Sequence, residues 1–168
     1  MDKVVLTRRA LVGALAALAA APGLAAAAPP LAGIRFREIR VDVAPLRANG
    51  SGDLADWIAA ELPALLAKAF AAHLAPGDRN APILRARVDL VTLGRPGSLM
   101  SFPLVGDTTD YIEGAGVVVG ASGREIASYP LMASLDASSK IVTGAELRLR
   151  VSQLAQSFAY WLPGQMGL

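Results

Sequence analysis

Acidic side chains are the first groups in this sequence whose types could do chemistry. Asp107, Asp110 and Glu113 form its densest group of carboxylates. Paired carboxylates can hydrolyse glycosidic bonds or bind calcium through oxygen ligands. The spacing disfavours both roles, because Asp110 and Glu113 are three residues apart at the start of a predicted strand and so point to opposite faces. We therefore expect solvated charges at the entry of that strand.

His73 is the only histidine, and the sequence contains no cysteine. It lies at the end of a predicted helix, where the helix dipole stabilises a cation, and no acidic residue is spaced to orient its ring. Without thiolates, a zinc site would need carboxylates for its remaining ligands. We expect a structural role for His73, no metal or other cofactor, and no disulfide.

Two glycine-containing segments have a partial likeness to reactive loops. Gly120–Gly123 includes a serine but lacks the Gly-x-Ser-x-Gly spacing of a nucleophile turn, and it joins two predicted strands, which favours a hairpin. Gly94–Ser98 has no lysine, and its proline removes an amide donor from any anion-binding loop. Both segments are interpreted as turns. We predict a protein that is not an enzyme, with a hydrolase as the minor alternative.

Hydrophobic periodicity predicts the six elements that position these groups. Alternating apolar residues predict strands, and apolar residues three or four apart predict helices. Pro63 lies inside the first helix, and we expect a kink there because the apolar stripe keeps its phase across it. The elements are the strand Ile34–Val43, a helix capped by Asp53 that includes Phe70, the strands Ile83–Leu93, Asp110–Val119 and Arg124–Leu135, and the helix Ala145–Leu162.

The order β-α-β-β-β-α, with strands that have one apolar face, predicts an α+β fold. We expect a four-stranded, largely antiparallel sheet with two helices on one face. Gly114 and Gly116 share a predicted face, so a helix can approach the sheet closely there. Pro130 predicts that the last strand lies at an edge of the sheet.

Finer expectations concern single side chains of these elements. Trp57 and Trp161 lie on apolar helix stripes and are expected to be core anchors. Glu146 and Arg150 are four residues apart and are expected to pair on the outside of the last helix. Along the second strand, the residues Leu84, Ala86, Val88 and Leu90 are expected to share the buried face.

The charge balance argues against a nucleic-acid partner. The chain has 16 Lys+Arg and 14 Asp+Glu; residues 1–27 contain three basic residues and one acidic residue, so 16 − 3 = 13 and 14 − 1 = 13 remain. A neutral remainder with no basic run interleaved with aromatics is not typical of nucleic-acid binding. Residues 1–27 are interpreted as a signal peptide, 28–33 as an extended linker and 34–168 as a single domain.

The amino-terminal residues have the three parts of a secretory signal. Basic residues that include Arg8 and Arg9 precede the apolar stretch Leu11–Ala21, too short for a bilayer that needs about 20 residues, and small residues follow. The arginine pair before an alanine-rich stretch resembles a twin-arginine (Tat) signal peptide, which implies export of a folded protein; the general secretory route stays open. We predict cleavage between Ala27 and Ala28, a periplasmic location and no membrane span after processing.

An apolar part of the predicted loop 94–109 is a candidate binding surface. Loops normally lie at the surface, where a contiguous apolar patch indicates an interaction site. The edge strand around Tyr129 is a second candidate, because an unpaired edge can add a strand from another chain. The candidate contact residues of the loop are Leu99, Met100, Phe102 and Leu104.

Two other interpretations of this loop remain. It could be a flap that covers Ile83, Val91 or Leu93 on an otherwise open sheet face. It could also enclose, together with the sheet, a site for a small apolar ligand, although a two-layer domain of this size seldom has the several hundred cubic ångströms that such a pocket needs.

The order of elements over 34–162 resembles that of small α+β periplasmic accessory proteins of envelope machinery, such as the auxiliary lipoproteins of ABC transporters and the lipoprotein activators of cell-wall synthases. This chain lacks the lipidated cysteine of those proteins, so membrane tethering is not implied. The resemblance implies a non-enzymatic accessory protein that binds another periplasmic or envelope protein. The alternative function is a small apolar-ligand carrier.

Overall fold

The computed structural model describes residues 31–94, 109–136 and 143–168. These residues form one four-stranded sheet with the strand order β1-β2-β3-β4. The elements are β1 (Glu38–Asp42), α1 (Ala44–Ala48), α2 (Gly52–Ala69), a 3-10 turn (Ala71–His73), β2 (Ile83–Thr92), β3 (Thr109–Val119), β4 (Glu125–Asp136) and α3 (Gly144–Gln165).

The predicted α+β class and four-stranded sheet are confirmed. The pairs β2–β3 and β3–β4 are antiparallel, whereas β1 runs parallel to β2. The parallel pair follows from the connection, because a chain that crosses over through a helix returns in the same direction. The short helix α1 was not predicted.

Helix α2 is continuous through Pro63, as its unbroken apolar stripe predicts. Its buried residues are Ala55, Ile58, Leu62 and Leu66. The predicted cap is wrong by two residues, because the helix begins at Gly52 after Ser51. Asp53 therefore lies in the first turn, where the helix dipole favours a carboxylate without a capping hydrogen bond.

Helix α3 begins with a reciprocal capping box. The Thr143 hydroxyl accepts a hydrogen bond from the Glu146 amide at 3.2 Å, and the Glu146 carboxylate accepts one from the Thr143 amide at 2.8 Å. These bonds satisfy two donors that the first turn of a helix leaves unpaired. The helix runs past Pro163 to Gln165, three residues beyond its predicted end.

One core joins both long helices to the same face of the sheet. Side chains from α2, α3, β2, β3 and β4 belong to a single buried cluster, in which the rings of Phe36 and Phe70 pack edge to face at 6.0 Å. Fully buried members include Ile58, Leu62, Leu84, Ile112, Leu154, Phe158 and Leu162. In the described part of the chain, no helix combines the length and the apolar character needed to cross a membrane.

A bulge in β2 corrects the predicted alternation. The register with β3 shifts between Val88 and Leu90, which leaves Leu90 38% exposed and turns Val91 into the core. An extra residue in one strand reverses the faces of the residues after it. The four-residue alternation predicted from the sequence is therefore wrong at its last member.

The two glycines of β3 have different neighbours. A Cβ on Gly116 would meet the ends of the Leu162 and Met166 side chains at 3.0 Å, which confirms the close helix approach. A Cβ on Gly114 would collide with the carbonyl oxygen of Arg87 in β2. The second close approach therefore comes from the backbone of the bulged strand and not from a helix.

Candidate functional site

A buried ion pair joins the beginning of β3 to α3. Arg150 Nε donates to Asp110 Oδ2 at 2.7 Å, and Arg150 Nη2 donates to Asp110 Oδ1. Arg150 Nη2 also donates to the Gly94 carbonyl at 2.7 Å, and the Gly94 amide donates to Asp110 Oδ1 at 2.9 Å. Asp110 is 1% exposed and Arg150 is 7% exposed.

This geometry overturns two expectations. Asp110 is not a solvated charge at the strand entry, because it lies on the helix-facing side of β3 in line with Ile112. Arg150 is not on the outside of α3, because it is buried and donates to Asp110, and the carboxylate of Glu146 caps its own helix. The hydrogen bond from Arg150 to Asp110 raises the pKa of the guanidinium against the opposing effect of burial, and Glu146 acts as a nearby negative charge that also raises the pKa of Arg150.

The ion pair is suited to a structural role. Both carboxylate oxygens of Asp110 accept hydrogen bonds, and no side-chain nitrogen or oxygen buried within the described ranges lacks a partner. Because both oxygens are buried and already bond to groups of the protein itself, this carboxylate is not available to a substrate. The pair instead fixes Gly94 against Asp110, and these two residues flank the segment 95–108.

His73 lies in the 3-10 turn after α2, and its backbone and ring face neighbouring main chain. Its carbonyl accepts a hydrogen bond from the Phe36 amide at 2.7 Å, and its Nδ1 lies 3.4 Å from the Ile34 carbonyl oxygen. Within residues 31–94, 109–136 and 143–168, no three ligand-type side chains are placed to hold a metal ion. These contacts connect the turn after α2 to residues 34–36, which precede β1.

Most of the predicted interaction and processing residues lie outside the described residues. These are the loop residues Leu99, Met100, Phe102 and Leu104, and the signal and cleavage residues Arg8, Arg9, Ala27 and Ala28. The expected ligand site between the loop and the sheet falls partly on the same segment, and so does Asp107. These expectations stay predictions.

Tyr129 is described, and its ring is not at the surface. It is 3% exposed and belongs to the main core, and burial raises the pKa of its hydroxyl. The side chains of a strand alternate between the two faces of the sheet, and position 129 falls on the face that packs against the helices. Any contact that β4 makes with another chain must therefore use the strand edge and the residues that face away from the helices.

The residues expected beneath a flap do not share one face. Val91 belongs to the main core and Leu93 packs against it, whereas Ile83 belongs to a small separate cluster with Ala115, Val117 and Val119. That cluster lies on the sheet face opposite the helices. A flap on the open face could therefore cover Ile83 but not Val91 or Leu93, and the flap itself stays a prediction.

The free edge of β4 forms a first candidate surface, here called the β4 edge surface (Ile126, Ser128, Pro130 and Met132). These residues face away from the helices, and Ile126 and Met132 are 64% and 62% exposed. A cleft of about 530 Å³ beside them is lined by Ser128, Pro130 and Met132 and by Arg87 and Glu113 of the neighbouring strands. The predicted edge position of Pro130 is confirmed.

The other edge of the sheet is protected in ways that β4 is not. Strand β1 has only five residues, and Glu38 and Arg40 form an exposed ion pair with Nη2–Oε2 at 2.9 Å. Short, charged edge strands discourage pairing with another chain. Strand β4 has 12 residues, and Pro130 and the register shift against β3 at Ile126 limit pairing only at their own positions. Among the described residues, the sheet thus leaves one long edge without a neighbouring strand.

A groove between the two long helices forms the second candidate surface, here called the α2–α3 groove. It has a volume of about 880 Å³. Tyr160 and Trp161 lie on its α3 side with 72% and 57% of their surfaces exposed, and their ring centroids are 5.0 Å apart at an interplanar angle of 84°. Its lining also includes Leu65, Lys68, Leu135, Asp136, Gln153 and Gln156.

The expectation that Trp161 anchors the core is wrong. The buried stripe of α3 is centred on Leu154, Phe158 and Leu162. At 3.6 residues per turn, position 161 lies about 60° from position 158, at the margin of that stripe. Adjacent residues of this helix can both be buried, as Phe158 and Ala159 are, so the position of Trp161 in the sequence does not by itself decide its exposure.

The ion pair had no comparable signal in the sequence. Arg150 and Asp110 are separated by 40 residues, and each lies at the margin of an apolar pattern in its own element. Which residue of a strand meets which residue of a distant helix is decided by how the two elements pack in the folded chain. Neither residue type nor spacing could pair them.

Comparison with known proteins gives no family for this chain: no protein-family model, no curated protein and no solved structure matches it.

Proposed function

We propose that this chain is an exported, non-enzymatic accessory protein that acts by binding another protein of the cell envelope. The twin-arginine signal at Arg8 and Arg9 supports export to the periplasm. The observation that carries the binding role is the β4 edge surface, a long strand edge with which no described strand pairs and which carries two exposed apolar side chains.

The contact is proposed to form by addition of a partner strand to β4. Main-chain hydrogen bonds supply the affinity in such a contact, and side-chain pockets supply the specificity. Ile126 and Met132 lie on the same side of β4 and would pack against the partner. The cleft beside Met132 extends inward across the sheet face to Glu113 of β3, where a partner side chain that reaches over β4 could find a polar group.

Pro130 defines which main-chain groups the partner can use. A proline in a paired strand must direct its nitrogen away from its neighbour, here β3. Alternate residues of a strand direct their amides to the same side, so the amides of Ser128 and Met132 also point outward. A partner strand would therefore pair on both sides of Pro130 and leave that position without a donor.

This arrangement allows a proline substitution to separate binding from folding. Ser128→Pro removes an outward amide and leaves the ladder with β3 intact, so we expect a small loss of stability and weakened partner binding. Ala127→Pro removes an amide that faces β3 and should destabilise the fold instead. Thermal unfolding and partner binding are measured for both variants.

The partner is identified by photo-crosslinking in the host, with the reactive amino acid at Met132. The matched control carries it at Leu149, which is 58% exposed on α3 on the other side of the sheet. We expect one polypeptide to be crosslinked at position 132 and lost in the Ser128→Pro background. Crosslinks that are the same at positions 132 and 149, or that persist in Ser128→Pro, would contradict the strand-addition contact.

A further inference from the structure

The α2–α3 groove is a second site, on the face of the sheet away from the β4 edge surface. Its volume of about 880 Å³ is within the range of ligand sites, about 300–1,000 Å³. The α3 residues that line it extend from Gln153 to Trp161, a distance of roughly 12 Å along the helix at 1.5 Å per residue. An open groove of this length admits a chain-like ligand of more than one ring.

The aromatic pair offers one kind of contact to such a ligand. Most of Tyr160 and more than half of Trp161 stand in solvent beside the groove. The face of an aromatic ring is electron-rich and attracts positively polarised hydrogens, such as the C–H groups on the flat side of a sugar ring. Because the two rings are nearly perpendicular, one can present its face while the other presents its edge.

The polar groups of the groove offer a second kind of contact. Gln153, Gln156 and Ser157 supply neutral donors and acceptors, and Lys68 and Asp136 supply one charge of each sign. Neither Lys68 nor Asp136 makes an ion pair with a residue in the described ranges. This mixture suits a ligand with many hydroxyl groups, because each hydroxyl both donates and accepts.

We propose that the α2–α3 groove binds a carbohydrate, specifically a short stretch of a glycan without net charge. The aromatic rings hold the apolar faces of the sugar rings, and the glutamine and charged side chains hydrogen-bond its hydroxyl groups. The cancelling charges of Lys68 and Asp136 disfavour a phosphorylated or otherwise polyanionic ligand. A lipid chain would match the apolar part of this lining, but it would desolvate Gln153 and Gln156 without offering them hydrogen bonds.

Tryptophan fluorescence provides the first test. The chain has two tryptophans, so Trp57→Phe leaves Trp161 as the only reporter. The probes are three neutral trisaccharides: maltotriose, cellotriose and the β-1,4-linked trimer of N-acetylglucosamine. We expect a saturable change in emission with at least one of them, and calorimetry on the unsubstituted protein checks the same sugar without the Trp57 substitution.

Variants then locate the bound sugar. Tyr160→Ala and Gln156→Ala should each weaken binding at least tenfold, and both side chains are exposed, so the fold should keep its thermal midpoint. Leu149→Ala is the matched control: an exposed side chain of the same helix that does not line the groove, whose loss should leave sugar binding unchanged.

Three results would overturn the proposal. The first is the absence of a saturable response to any of the three trisaccharides up to about 10 mM. The second is sugar binding that neither Tyr160→Ala nor Gln156→Ala weakens. The third is a polypeptide, in place of a sugar, captured by a photo-crosslinker at position 160. The proposed protein contact is tested separately, because Ser128→Pro changes the β4 edge and leaves the groove intact. Failure of one proposal is thus distinguishable from failure of the other.

Discussion

Removal of the Asp110 carboxylate is expected to destabilise the fold severely. In Asp110→Ala, the Arg150 guanidinium stays buried at 7% exposure and keeps only the Gly94 carbonyl as its acceptor, while the Gly94 amide loses its partner. Breaking a buried ion pair on one side costs about 3–5 kcal/mol. At about 4 °C per kcal/mol for a domain of this size, the thermal midpoint should fall by about 12–20 °C.

The assay compares this variant with an exposed pair of the same type. Arg47 Nη2 and Asp56 Oδ1 are 2.6 Å apart, with 50% and 62% of their side chains exposed. Exposed pairs contribute about 0–1 kcal/mol, so Asp56→Ala should change the free energy of unfolding by less than about 1 kcal/mol. Urea unfolding at neutral pH measures both variants.

A double substitution distinguishes an unpaired buried charge from a loss of packing. Asp110→Leu with Arg150→Met removes both charges and keeps apolar volume, and such replacements are often neutral. It should recover part of the stability lost in Asp110→Ala, because the buried charge is removed while the Gly94 amide and carbonyl stay without these partners. The reasoning would be refuted if Asp110→Ala lost no more stability than Asp56→Ala, or if a double-mutant cycle of Asp110→Ala and Arg150→Ala showed no coupling.

Three further predictions concern β3, β4 and the signal. Gly114→Ala should lower the free energy of unfolding by about 1–3 kcal/mol or more, because its methyl group would meet the backbone of β2. Gly116→Ala should lower it less, because the flexible side-chain ends that its methyl group meets can move. Urea unfolding compares the two variants. Burial raises the pKa of Tyr129, so the unfolded chain loses the proton first and the free energy of unfolding should fall as pH rises above about 10; Tyr129→Phe should lessen that fall. Arg8→Lys with Arg9→Lys should leave the precursor inside the cell if the twin-arginine route is used, as cell fractionation would show.

The sequence predicted the elements of this fold well and their local irregularities poorly. Periodicity is a property of each element, so the apolar stripe of α2 located that helix even across Pro63. The bulge in β2 is a property of two strands, since it exists only relative to the register of β3. Leu90 consequently followed the alternation of its own strand and was assigned to the wrong face.

The candidate sites divide in the same way. The free edge of β4 was predictable, because Pro130 carries its own restriction on pairing. Exposure of Trp161 was not predictable from its spacing, because it lies at the margin of the apolar stripe and adjacent residues of α3 can both be buried. The partner of Arg150 was not predictable, because it lies on another element 40 residues away and is chosen by how α3 crosses the sheet.

Strand β4 contributes to both candidate surfaces through alternate residues. Leu135 faces the helices and lines the α2–α3 groove, while Met132 faces the opposite side and borders the cleft of the β4 edge surface. A partner strand would pair with the outer edge, and a sugar would lie between the helices, so neither occupies the space of the other. If both proposals hold, the protein can keep its partner while it is bound to a glycan. Any coupling between the two sites would have to pass through β4 itself, so Ser128→Pro should leave the affinity for sugar unchanged unless the strand shifts.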